Sequence, residues 1–137
     1  MRYQDMTTFS PHMTDKEVNR ISMLGLAHIG DGVYELLTRT MLCLQGYSAV
    51  GQLHKLTVEK VKAPAQAAAA EKILPLLNEE ELALYKRGRN AHVHGVPHNA
   101  NVGDYHAATG LEALFGWLYL QGRQERIQQL FDAIMEE

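Results

Sequence analysis

Two acidic residues stand apart from the other charges of the sequence. Asp31 lies in LGLAHIGDGVYELL (residues 24–37), between two glycines in an otherwise apolar stretch. Glu112 is the only acid in YHAATGLEALFGWLYL (105–120). Helical spacing surrounds Asp31 with Ala27, His28, Tyr34 and Glu35, and surrounds Glu112 with Ala108, Thr109, Phe115 and Gly116. An ionised carboxylate in such company is expensive to desolvate unless positive charge meets it. Two isolated acids on two separate apolar helices point to one shared cation. Magnesium suits such a pair, since it takes oxygen ligands, keeps several waters and completes its shell with substrate phosphates. The residues alone leave a second reading equally open, in which each acid meets a lysine or arginine in the core, or Asp31 is bonded locally at a helix break.

The elements that must hold these acids read as helices throughout. Residues 1–13 are polar, contain Pro11 and show no period, so they form an N-terminal arm ahead of a domain over 14–137. Thr14-Asp15-Lys16-Glu17 fits a capping box. The helix it opens is expected to reach about Gln45, with a break near Gly30 and Gly32, and to stop at Gly46. Ser48 is expected to cap a helix to about Lys60, and Pro64 suits the first turn of PAQAAAAEKILPLL, whose alanines let a neighbour pack closely. Asn78 caps NEEELALYKRGRN, with acids in its first turn and bases in its last. His92–Gly103 has the Gly, Pro and Asn content of a loop. Asp104 is expected to cap an apolar helix to about Leu120, and an amphipathic helix follows Gly122. No period-two strand occurs. The expected class is all-α, without a β-sheet.

Composition bounds the function classes. At 137 residues, 46% hydrophobic and 21% charged, the chain reads as one globular domain with a real core. Cys43, the single cysteine, excludes an internal disulfide, and Leu42 and Leu44 beside it predict a buried thiol in a reducing compartment. No basic start precedes an apolar run, and the longest such run, 113–120, is far short of the ~20 residues of a membrane span. A cytoplasmic protein without membrane contact is expected. A net charge of −3 does not advertise a nucleic-acid partner. Distribution matters more than the sum, however. Lys86, Arg87 and Arg89 cluster ahead of His92, His94, His98 and His106. Arginines grip phosphates bidentately, and Gly88 among them would allow close backbone approach. The same bases also complement a helix end without any partner. The H-x-H pair could bind zinc, but no cysteine or carboxylate spacing completes that site.

HIGDGVYE, KRGRNA and ATGLEALFGWLYL, in this order and spacing, resemble the Mini-ribonuclease III family, and the likeness runs from about Met23 to Gln129. The resemblance implies the helical endonuclease fold of ribonuclease III without its separate double-stranded-RNA-binding domain. It implies a homodimer that cuts double-stranded RNA with Mg²⁺, leaving 5′-phosphates, and that matures precursor large-subunit (23S) ribosomal RNA. Asp31 matches the family's catalytic, metal-holding aspartate and Glu112 its glutamate. Larger relatives usually carry two more acids, at the positions of Ala27 and Thr109; the Mini branch shares the sparse pattern. Glu35 and Thr109 are candidates to orient a metal-bound water, against a surface salt bridge for Glu35 and a bond to a carbonyl one turn back for Thr109. Lys86, Arg87, Arg89, Asn90, His94 and His98 are the candidate RNA contacts, with shape rather than sequence read on an A-form duplex. His28 is a candidate for the dimer seam. The competing function is a catalytically silent helical RNA-binding or ribosome-assembly module, which would have no need of acids that repel phosphate.

Overall fold

A computed structural model describes residues 7–91 and 101–136. Seven α-helices follow in order: α1 (Asp15–Val18), α2 (Met23–Leu44), α3 (Val50–Val61), α4 (Ala63–Ile73), α5 (Glu79–Arg89), α6 (Val102–Leu120) and α7 (Gln124–Met135), with a 3₁₀ turn at Leu74–Leu76. The described residues contain no strand, as the all-α reading requires.

Most of the local signals act as expected. Thr14 and Glu17 form the capping box of α1, and Asn78 and Glu81 form that of α5. Pro64 sits in the first turn of α4. Gly46, at φ 101°, ends α2 in the left-handed region that favours glycine. Three boundaries differ. The chain breaks at Asn19–Ser22 rather than at the glycines, because the Ser22 hydroxyl accepts from Gly25 N at 3.0 Å and starts a new helix there. That helix, α2, then runs unbroken through Gly30 and Gly32. Ala49, not Ser48, precedes α3, with no side-chain cap. Asn101, not Asp104, caps α6: its Oδ1 accepts the Asp104 N–H at 3.0 Å, leaving Asp104 in the first turn, where its charge favours the helix dipole.

Helix α6 is the axle of the molecule. Every residue from Ala108 to Leu118 except Glu112 is buried, so the helix is apolar nearly all round, as a helix enclosed by others must be. It packs against α2, α4, α5 and α7. Helix α2 turns Leu26, Gly30, Tyr34, Thr38 and Leu42 inward at four-residue spacing. The Tyr34 ring meets Phe115 at 5.4 Å and Phe131 at 5.8 Å, both edge-on. The opposite side of α2 stays open: Leu36 is 57% exposed, and Cys43 is exposed rather than buried, because it falls off the inward stripe that takes Leu42.

Polar contacts fasten the periphery. Buried Glu81 accepts from Arg126 Nε and Nη2, both at 2.8 Å, and the same Nη2 donates to the Leu76 carbonyl at 2.8 Å. One guanidinium thus ties α7 to the start of α5 and to the turn before it. Lys72 Nζ donates to the carbonyls of Ile134 and Glu136 at the end of α7. Residues 7–13 of the N-terminal arm lie on the end of α6, where Met13 N donates to the Leu120 carbonyl at 2.8 Å and Tyr119 Oη to the Thr8 carbonyl.

Candidate active site

The two glycine-bearing helices meet backbone to backbone. A Cβ added to Gly30 would overlap the Glu112 carbonyl oxygen and lie 2.8 Å from Gly116 N. One added to Gly116 would overlap the Leu26 carbonyl oxygen and lie 3.0 Å from Gly30 N. Only residues without side chains permit this approach. Asp31 follows Gly30 directly, and Glu112 is itself the residue whose backbone Gly30 touches. The crossing therefore brings the two acids together although they are far apart along the chain. Gly32 has nothing within 4 Å on its Cβ side, so it takes no part in the contact.

The side chains of Asp31 and Glu112 come within interaction range of one another. Asp31 is exposed and Glu112 is half-buried. The Glu112 pKa is pushed up to about 8, first by burial, then by the charge of Asp31 and a hydrogen bond with it; a hydrogen bond from Gln66 opposes the rise. Neither acid forms an ion pair with a basic side chain among the described residues, which removes the reading of two separately neutralised core acids. The site consists of two oxygen-rich groups that repel one another as anions.

A third residue completes the site, and the local pattern gave no role to it. Gln66, 1% exposed on α4, donates from Nε2 to the Val61 carbonyl at 2.8 Å and to Glu112 Oε2 at 3.3 Å. Its Oε1 has no hydrogen-bond partner among the described residues. The signal in the sequence is that Gln66 is the only long side chain in APAQAAAA, where every neighbour is small.

The other candidates are placed as follows. Ala27 is buried one turn before Asp31. Thr109 Oγ1 donates to the Tyr105 carbonyl at 3.0 Å. Glu35 pairs with Arg39 at 3.1 Å, both well exposed. Lys86 and Arg87 are exposed on the last turn of α5. The Arg89 guanidinium lies over the Tyr85 ring at 5.8 Å, and its Nε donates to Asn90 Oδ1 at 3.4 Å. Gly88 does not leave room for a ligand. It is buried, and an added Cβ would lie 2.7 Å from Ala113 Cβ and 3.1 Å from Gly110 Cα. It sets α5 against the turn of α6 that carries Glu112. His92, His94 and His98 lie outside the described residues. His28 is exposed on α2.

Residues 24–123 match the ribonuclease III domain family, a span that contains both acids, Gln66 and the end of α5. The fold is therefore that of a ribonuclease III-type domain. Proteins named Mini-ribonuclease 3 are similar over most of their length: one from Symbiobacterium thermophilum is 44% identical, covering 80% of this chain and 85% of its own. Another, from Desulfitobacterium hafniense, is 45% identical, covering 83% of this chain and 72% of its own. An X-ray structure of a Fusobacterium nucleatum protein superposes with a TM-score of 0.76 at 33% identity, covering 83% of this chain and 87% of that one. The chain belongs to the Mini-ribonuclease III family and is an endoribonuclease. No helix among the described residues is long and apolar enough to cross a membrane.

Proposed function

We propose that this endoribonuclease cleaves double-stranded RNA with Mg²⁺ as cofactor, and that Asp31 and Glu112 are its catalytic, metal-holding residues. The observation that carries this reading is the Gly30–Gly116 crossing, which brings two carboxylates together without an ion pair to either among the described residues. The donor set fits a hard divalent ion: two carboxylates supply oxygen, and the open side of Asp31 leaves room for waters and phosphate. When bound, such an ion supplies polarisation of a phosphate oxygen and a lowered pKa for a water.

The chain's own residues do the rest. Asp31 and Glu112 would hold the ion through carboxylate oxygens, Glu112 losing to solvent the proton that burial favours, and the ion would face the phosphate from the exposed side of Asp31. Lys86 and Arg87, exposed on the last turn of α5, with Arg89 and Asn90 after them, are the groups that would neutralise backbone phosphates. Glu35 is paired with Arg39 and the Thr109 hydroxyl with the Tyr105 carbonyl, so neither is given a role at the ion. The products are a 5′-phosphate and a 3′-hydroxyl, and the natural substrate is precursor 23S ribosomal RNA in the cytoplasm.

We also read the protein as a homodimer. Leu36 and Phe9 are exposed beside Val33, Leu37, Tyr119 and Ile127 around one apolar groove on the open side of α2. A second copy would cover that face, and two sites would cut the two strands of one duplex. The test is a long RNA duplex incubated with Mg²⁺ and with the wild type, Asp31→Asn or Glu112→Gln. Cleavage by the wild type, lost in both variants and on chelation, supports the reading. Binding without cleavage, or cleavage that survives both substitutions, overturns it.

A further inference from the structure

We propose that Gln66 is a positioning residue for Glu112: its buried carboxamide, anchored on the end of α3, holds the Glu112 carboxylate in place for the cation without contributing charge. The inference rests on the assignment of Asp31 and Glu112 as the metal-holding pair.

The amide has one orientation available. Val61 O can only accept, so the NH₂ group must face it, at 2.8 Å, and the same nitrogen then donates to Glu112 Oε2 at 3.3 Å. Reversal would set Oε1 against the Val61 carbonyl oxygen. The consequence is visible on the other side of the group, where Oε1 is buried without a partner among the described residues. Such an acceptor is destabilising, and a buried polar group kept in that state calls for a role other than stability. Leucine or methionine would fill the space beside the alanines without the orphaned oxygen.

The residue type also fits the task. A lysine or arginine at this place would hold Glu112 equally well but would neutralise it, and the pair would lose the charge that draws a divalent ion. A neutral donor fixes the direction of Oε2 and leaves that charge intact. The anchor lies outside the crossing of α2 and α6: Gln66 belongs to α4, and Val61 is the last residue of α3. The carboxylate is therefore held by an element independent of the one that carries it.

The experiment uses the full-length protein with Gln66→Met, Gln66→Lys, Asp31→Asn and Glu112→Gln beside the wild type. Two quantities are read: the Mg²⁺-induced rise in Tm without RNA, and the Mg²⁺ concentration that half-saturates cleavage of a long duplex. In Gln66→Met the half-saturating Mg²⁺ rises about tenfold, as loss of a hydrogen bond to a charged group implies. The KM for RNA stays within about threefold, and the metal-free Tm does not fall. Gln66→Lys loses the Mg²⁺-induced rise in Tm altogether. A Gln66→Met protein with the wild-type response to Mg²⁺ overturns the proposal, as does one whose Tm falls while that response is kept. A wild-type Mg²⁺ response that persists in Asp31→Asn and Glu112→Gln overturns the metal-site assignment itself, and the role of Gln66 with it. The two failures are thus read from different variants.

Discussion

Glu112→Gln should make the protein more stable while destroying its activity, and the gain should depend on pH. In the unfolded chain a glutamate ionises at its ordinary value of 4.5, whereas in the fold Glu112 keeps its proton until about 8. The folded state therefore binds more protons between these values. Its stability falls as pH rises through that window and reaches its lowest level above 8. At 1.36 kcal/mol for each pKa unit, the upper limit of this penalty is roughly 5 kcal/mol. Because the group is only half-buried and the water it keeps screens its charge, about 2 kcal/mol is the expected size. Glutamine is isosteric and uncharged, so it escapes the penalty. For a chain of this length the metal-free variant should melt about 6–10 °C above wild type at pH 8.5. The gap should shrink as pH falls toward 4.5 and close below it, where the wild-type acid becomes protonated in both states. Added Mg²⁺ should raise the wild-type Tm at pH 8.5 by mass action and leave the variant unmoved. Calorimetry across pH 4.5–9, with and without Mg²⁺, reads all of this. A variant no more stable than wild type at pH 8.5, or a gap that is the same at pH 5, would refute the claim that burial, with Asp31 beside it, opposes ionisation of Glu112 in the fold.

The glycines that flank Asp31 should part company on mutation. Gly30→Ala forces α2 off α6 and should cost about 3 kcal/mol and all cleavage, whereas Gly32→Ala faces open space and should stabilise by about 0.5–1 kcal/mol; chemical denaturation checks both. Arg126→Ala leaves Glu81 buried and uncompensated, which should cost about 3 kcal/mol at neutral pH. Burial alone would raise the Glu81 pKa, but the bonds from Arg126 and the Asn78 cap hold it below 4.5. The stability it contributes is thus present above 4.5 and lost as pH falls through the lowered value, and the difference from Arg126→Ala should shrink in acid. Lys86→Ala with Arg87→Ala should weaken duplex binding and reduce its dependence on log salt concentration by about 1.5, measured by titration under conditions that prevent cleavage.

The helices were legible because their signals are local. A capping box at Thr14–Glu17, another at Asn78–Glu81, Pro64 and Gly46 each act within a turn of themselves, and the apolar run of α6 declares a helix enclosed on all sides. The acids were legible because a lone charge in an apolar run needs a reason. What escaped was settled between elements. Gly30 and Gly32 look alike in sequence, yet only one meets another backbone. Gly88 sits among three basic residues, but its reason is Ala113 on another helix. Cys43 has leucines on both sides, and its exposure follows from which face of α2 turns inward. Gln66 reaches Glu112 across 46 positions of chain, a relation no periodicity can carry. The break at Asn19–Ser22 was hidden for a simpler reason: serine is an ordinary residue until its hydroxyl caps something.

The bare contact between Gly30 and Gly116 has a consequence for how such a molecule can change over generations. Where ribbons of peptide rest directly on one another, no exchangeable group lies in the gap, so drift has nothing there to trim or enlarge. The spacing between Asp31 and Glu112 is thus a gauge made of main chain, set where the two ribbons touch rather than by any side chain between them.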